Sequence, residues 1–335
     1  MRKIEMSLFL WVTALLCGLP CYAQSFRVDP MGPDSKGGYF TKWDIVQQRL
    51  ILYRDTDDAT APAALIFSNS GASVPVFPLR DLSDSRYIDV WNAAATPDGG
   101  IVLSAIVGYT ARNVQPGQLK SFLLTYSAEG KLLRVWNTDP YHDHLVAVDH
   151  EGSVFALGDA NLAEPYPLLV KYAKDGKILR EFLPSSLFPG GYKALLDSPS
   201  ANGEPEMVVS GQELCLWLPV PQEVLHFSLD GHLISRNSLA SALANLANER
   251  GSDRTTVKTL TCSNNEEVVA QVQLWPKDAH NSVQTAIARI NLKDLKTSVL
   301  SIPADPVWLV GNTRQGRLVL LQPEPGGKAA SIITW

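Results

Sequence analysis

A short hairpin recurs along this 335-residue chain, and its recurrence limits the possible folds more than any other feature. Ser121–Asn137 (SFLLTYSAEGKLLRVWN), Leu168–Leu183 (LLVKYAKDGKILREFL) and Val224–Leu239 (VLHFSLDGHLISRNSL) each place two apolar runs around a polar turn ending in Glu-Gly or Asp-Gly. Glycine accepts the positive φ that a tight turn needs, so this pattern marks a two-stranded hairpin. Gly130, Gly176 and Gly231 lie 46 and 55 residues apart, an interval that suits one unit of a repeat array.

A second hairpin precedes each of these. IDVWNAAA turns at Pro97–Gly100 into IVLSAIV, HLVAV turns at Asp149–Gly152 into SVFALG, and TVKTLTC turns at Asn264-Asn265 into EEVVAQVQL. Tyr192–Leu196 (YKALL) turns through Ser198–Pro205 into EMVVSG, and Pro306–Val310 turns at Gln315-Gly316 into RLVLLQ. With further pairs at Tyr39–Tyr53, Ala64–Leu79 and Thr285–Ile302, the chain forms six four-stranded units of about 50 residues each. The expectation is an all-β, six-bladed β-propeller; a β-sandwich lacks this regular double-hairpin period. Helical periodicity is confined to Ser238–Arg250, where Leu239, Leu243, Leu246 and Ala247 share a face, which predicts one short inserted helix ended by Gly251. The last unit offers three strands only, so Ser25–Val28 is expected to pair with Ala329–Trp335, close the ring and cover the exposed edge.

Met1–Ala23 has a basic start (Arg2, Lys3), an apolar run at Leu8–Leu16 and a small residue at Ala23. This is the pattern of a cleaved secretory signal peptide, which leaves 24–335 as a single exported propeller domain, periplasmic or extracellular. No other apolar stretch is long enough to span a membrane. The net charge of −5, with no basic stripe, argues against a nucleic-acid partner. A monomer is expected. The exported chain keeps Cys215 and Cys262. An oxidising compartment favours a bridge. The strand assignment above, however, sets Cys262 beside the turns at one end and Cys215 toward the other, beyond the roughly 7 Å that a disulfide allows. Two separate, buried thiols are expected.

Hairpins such as Leu124–Leu133 (LTYSAEGKLL) and Val146–Leu157 (VAVDHEGSVFAL) resemble those of the NHL-type and gluconolactonase-like six-bladed propellers, and the resemblance covers the exported chain. For the gluconolactonase-like members it implies a catalytic divalent cation held over the channel by a Glu, an Asn and an Asp from different blades. Asp89, Asn92, Asp143 and Asp305 stand at blade starts and could reach it, but Gly37-Gly38-Tyr39 occupies the place of the glutamate.

Turns within the two kinds of hairpin are short, whereas the strand-two-to-three and blade-to-blade connections are longer and polar, and both of these fall at one end of the ring. Binding residues gather on such loops. The residues that open each blade from this end are Tyr87, Asp89, His142, His144, Tyr192, Lys193, Asp253, Arg254 and Asp305, with Arg112 and His280 on nearby loops. These are the ligand-binding candidates. They mix both charge signs with two phenols, which suits a protein, peptide or carbohydrate ligand. His142 and His144, two apart on a strand, could also hold a divalent metal with a carboxylate from a neighbouring blade. Trp91, Trp136, Trp217 and Trp308 sit inside strands and are assigned to the core. Nucleophile-elbow, Walker, dinucleotide and His-Glu-x-x-His motifs are absent, so no catalytic residue, cofactor or metal is assigned. Two readings remain: a binding or interaction module acting through the loop-rich face, and a metal-dependent hydrolase or lactonase acting at the channel mouth.

Overall fold

The computed structural model describes residues 27–28 and 40–335, apart from 46, 69–70, 83–84, 109–118, 189–190, 197–204, 265, 279–281, 303–306, 314 and 324–329. The Met1–Ala23 segment, Asp305, Arg112 and His280 therefore lie outside the described residues, as does the side chain of Lys193.

Six four-stranded antiparallel sheets form a ring, as the repeat predicts. A two-residue strand, Arg27–Val28 (β1), precedes the first full sheet, which holds β2 (Phe40–Asp44), β3 (Arg49–Tyr53), β4 (Ala64–Phe67) and β5 (Ser73–Val76). The second holds β6 (Tyr87–Ala95), β7 (Ile101–Gly108), β8 (Leu119–Tyr126) and β9 (Leu132–Asn137). The third holds β10 (Tyr141–Val148), β11 (Val154–Ala160), β12 (Pro167–Tyr172) and β13 (Ile178–Pro184). The fourth holds β14 (Glu206–Ser210), β15 (Glu213–Leu218), β16 (Glu223–Ser228) and β17 (Leu233–Ser238). The fifth holds β18 (Ser252–Asn264), β19 (Glu267–Pro276), β20 (Gln284–Asn291) and β21 (Thr297–Leu300). The sixth holds β22 (Trp308–Asn312), β23 (Leu318–Pro323) and β24 (Ala330–Thr334).

The first strand of each blade lies innermost, and β22 meets β2 to complete the circle. Gly130, Gly176 and Gly231 take the positive φ their turns need, at 75°, 87° and 87°. Apolar side chains fill the space between blades. Ile51, Ile88, Leu103 and Leu124 join blades one and two, and Trp217, Val224, Val268 and Ala270 join blades four and five.

Two sequence expectations need correction. Tyr192–Leu196 is not the first strand of blade four. Gly191–Leu196 is a short helix lying in the blade-to-blade connection, and with the single turn Pro78–Asp81 the described residues hold helices besides Ala240–Glu249. Glu206–Ser210 is then the inner strand, and it turns tightly at Gly211 into β15. This shift also overturns the separate-thiol expectation. Cys215 now lies just after that turn, at the same end as Cys262, and the two form a buried disulfide with Cα atoms 6.5 Å apart. In the Ala240–Glu249 helix the predicted stripe holds: Leu243, Leu246 and Ala247 are buried, and Leu239 before it is buried too.

Arg27 and Val28 pair antiparallel with Ser331 and Ala330, which places β1 on the outer edge of the sixth blade. Deleting 24–28 uncovers the hydrogen-bonding edge of β24. A loss of roughly 2 kcal/mol is expected, the order of a few ladder hydrogen bonds. An unchanged denaturation midpoint after truncation would show that the ring does not depend on this strand for closure.

One polar contact crosses the inside of the ring, and another joins neighbouring blades. Lys42 on β2 reaches Glu206 on β14, the opposite blade, with Nζ to Oε2 at 3.1 Å, and Lys42 also lies 3.3 Å from the Met207 carbonyl. Near the turns, Arg49 Nε donates to Asp44 Oδ2 at 2.8 Å, and its Nη2 donates to the Gly100 carbonyl of blade two at 3.0 Å. No helix among the described residues is long and apolar enough to cross a membrane.

Candidate functional site

The loop-rich end of the channel gathers part of the predicted set on blades two and three. The inner strands β6 and β10 each carry a one-residue bulge four residues before their last ladder pair. The extra residues are Trp91, between Val90 and Asn92, and His144, between Asp143 and Leu145. A bulge frees a side chain from strict alternation and re-aims it. Here the two rings stack face to face, with centroids 3.8 Å apart and planes 6° from parallel. Tyr192, on the short helix between blades three and four, brings its ring to 4.6 Å from His144. The approach of β11 to β10 depends on Gly158, because a Cβ there would stand 1.8 Å from the His142 carbonyl oxygen.

A shared carboxylate fixes the two imidazoles. His142 Nδ1 lies 3.0 Å from Asp159 Oδ1, and His144 Nε2 lies 3.6 Å from the same oxygen. Thus His142 and His144 do converge on a carboxylate, but it comes from β11 of the same blade rather than from a neighbouring one. Burial acts to raise the Asp159 carboxyl, yet the bonds from His142 and His144 hold it well below the usual carboxylate range. The bond to Asp159 raises His142, whereas burial outweighs the same carboxylate at His144 and lowers it. Near neutral pH the group therefore offers an ionised carboxylate, a readily protonated imidazole and a neutral imidazole lying flat on an indole.

The other candidates are placed differently. Tyr87 is buried, with its ring closing on Gly108. Asp89 is half-buried on β6, two residues before Trp91. Asp253 and Arg254 are exposed on blade five, two blades beyond the histidines, and the Arg254 guanidinium sits 4.6 Å from the Trp275 ring centroid. Lys193 belongs to the Gly191–Leu196 helix.

Two of the four cation ligands that the gluconolactonase resemblance would use, Asn92 and Asp143, are hydrogen-bonded within the scaffold. Asn92 donates to Tyr53 Oη at 3.2 Å and accepts from the Val146 N–H at 3.3 Å, so it stitches three blades together. Asp143 is buried, and Tyr172 Oη donates to its Oδ2 at 3.4 Å. Burial outweighs that bond and one from Thr138, and pushes the Asp143 carboxyl up to about 7.

Sequence reasoning missed Trp91, Asp159, Lys42 and Glu206, and it misplaced Trp308, which opens β22 with 49% of its surface exposed rather than lying in the core. Trp217 is core as expected, and Trp136 is half-buried. At the opposite end, the short turns surround a cavity of about 390 Å³ to which every blade contributes, through Ile45, Pro97, His150, Gly211, Ser263 and Thr313.

The chain matches no family model and none of the curated proteins. Among solved structures it is similar to a candidate exported protein from Bacteroides fragilis, with 9% identity, a TM-score of 0.50, and 92% of this chain covered against 93% of that one. It is also similar to a member of the DUF4221 family from Bacteroides vulgatus, at 8% identity and a TM-score of 0.48 over 92% of this chain and 95% of that one. A gluconolactonase from Xanthomonas campestris aligns at 12% identity and a TM-score of 0.43 over 89% of this chain and 86% of that one. At such identities the likeness is one of fold, and by fold this chain is a six-bladed β-propeller.

Proposed function

We propose that the protein is an exported binding module that takes a carbohydrate ring or a peptide segment at the loop-rich channel mouth. The observation that supports this reading is the Trp91–His144 stack, backed by the tilted and buried Tyr192 ring, beside the His142–Asp159 pair. Two strands give up a regular ladder position to make the Trp91–His144 contact, and both rings stay partly accessible to solvent. An aromatic surface beside a fixed carboxylate suits ligands that present a flat apolar face edged with hydroxyl or amide groups. The Met1–Ala23 pattern supports export. The alternative, a metal-dependent hydrolase or lactonase at the channel mouth, would have to draw Asn92 and Asp143 away from their present partners.

Tryptophan fluorescence and calorimetry against a panel of soluble oligosaccharides and short peptides test the proposal. For a ligand that binds, Trp91→Ala is expected to weaken affinity about tenfold, as loss of a stacking contact does, with little change in melting temperature. Arg254→Ala then reads whether the ligand extends to blade five. Binding that is indifferent to Trp91→Ala and His144→Ala would remove this mouth from consideration. Lactone hydrolysis that depends on added divalent cation would favour the enzymatic alternative.

A further inference from the structure

Among the described residues, one set of three metal-ligating side chains has its donor atoms within 4.8 Å of one another: Cys215, His226 and Cys262, all buried. The fold brings them together from two blades. Cys215 on β15 is the direct cross-strand partner of His226 on β16. Cys262 on β18 faces them from blade five across the shared core. The imidazole is oriented from behind, since Nδ1 lies 3.3 Å from Glu213 Oε2. Its other nitrogen, Nε2, is buried with no hydrogen-bond partner, on a residue only 2% exposed.

A buried imidazole nitrogen without a partner is costly in a core that is otherwise apolar. A carboxylate on one nitrogen and an open lone pair on the other is the outer-shell arrangement of a metal-ligating histidine. Two cysteines beside it make a soft donor set.

We propose that the Cys215–Cys262 disulfide is the closed state of a redox-gated site which, once reduced, binds a thiophilic d10 cation, Zn²⁺ or Cu⁺, through the two sulfurs and His226 Nε2. The chemistry balances with a dithiol reductant. Its two electrons break the S–S bond, its two protons pass to the sulfurs, and it leaves as its own disulfide. Cation binding then forms two metal–sulfur bonds and releases those two protons to solvent. Cys262 also lines a cavity of about 60 Å³ beside the channel, next to Asn312 and Glu206, which gives a path inward and room for a water as a fourth ligand. Zinc would use that water, whereas Cu⁺ is satisfied by three donors.

The test uses the full chain, reduced anaerobically with dithiothreitol and desalted, beside the untreated disulfide form. Each is titrated with Zn²⁺ or with Cu⁺ in competition with a coloured chelator, and loaded samples are read by X-ray absorption. The reduced protein is expected to take up one equivalent of at least one ion, with two sulfurs and one nitrogen in its shell and Zn–S at about 2.3 Å if zinc is held. The disulfide form should retain less than a tenth of that. Glu213→Gln should weaken the reduced site roughly tenfold. His226→Gln should weaken it by more, while still forming the disulfide, which an intact mass two units below the reduced value would report. Equal uptake by both redox forms, equal uptake by His226→Gln, or a shell without nitrogen would each overturn the proposal. The fourth scatterer, oxygen for zinc and none for Cu⁺, says which ion the site prefers.

Discussion

Asp143→Asn is expected to be close to neutral at about pH 4 and increasingly stabilising as the pH rises to about 8. The Asp143 side chain is buried beneath the histidine pair, and burial lifts its carboxyl from an ordinary 3.8 to about 7. Below the ordinary value both the folded and the unfolded chain carry the proton, and the buried acid imposes no charge penalty. Between the two values the unfolded chain has released its proton while the folded chain still holds it. Stability therefore falls as the pH climbs through this window, and above about 7 the fold must carry a buried carboxylate. The accumulated difference is on the order of 4 kcal/mol at most. Asparagine copies the shape and the hydrogen-bonding capacity of the neutral acid next to Tyr172 Oη and never ionises. Denaturant midpoints for both proteins across this range check the slope; a difference that stays constant with pH would place the titration elsewhere.

Asp44→Ala should cost about 3–5 kcal/mol, because it strands the buried Arg49 guanidinium. The two side chains are only 1% and 10% exposed and meet at 2.8 Å. Arg49 also reaches the Gly100 carbonyl, so its loss of orientation is felt at the junction of blades one and two. The telling comparison is a double replacement, Asp44→Leu with Arg49→Met. Removing both charges takes away the stranded ion and should lose less stability than Asp44→Ala alone. If the double variant is instead the weaker of the two in denaturant, the Arg49–Gly100 contact contributes more than the ion pair.

Most of the architecture could be read from residues close together in the chain. A turn such as Ala128-Glu129-Gly130 between apolar runs leaves few choices to the backbone, and the blade count follows from repeating it. Blade four failed where local pattern is ambiguous. YKALL is too short and too apolar to separate a strand from a helix turn. Its error travelled into the cysteine prediction, since one misassigned strand moved Cys215 to the wrong end of its blade. The site was legible in kind rather than in geometry. His142, His144 and Tyr192 were selected for opening their blades, but the ring His144 stacks on was assigned to the core. A β-bulge leaves no mark in composition or alternation that distinguishes Trp91 from an ordinary strand residue. Its position is decided by packing between blades, as is the meeting of Lys42 and Glu206 some 160 residues apart.

That last pair has a bearing on traffic. A propeller with an open bore can act as a conduit, admitting a small molecule at one end and releasing it at the other. Here the ammonium–carboxylate contact joins opposite walls of the bore at 3.1 Å, with both groups partly shielded from water. A solute moving along the axis meets this pair, whose groups remain 15% and 33% exposed to water. The ring is therefore braced across its bore at this level. The roughly 390 Å³ hollow opens at the turn-bearing end of the same bore.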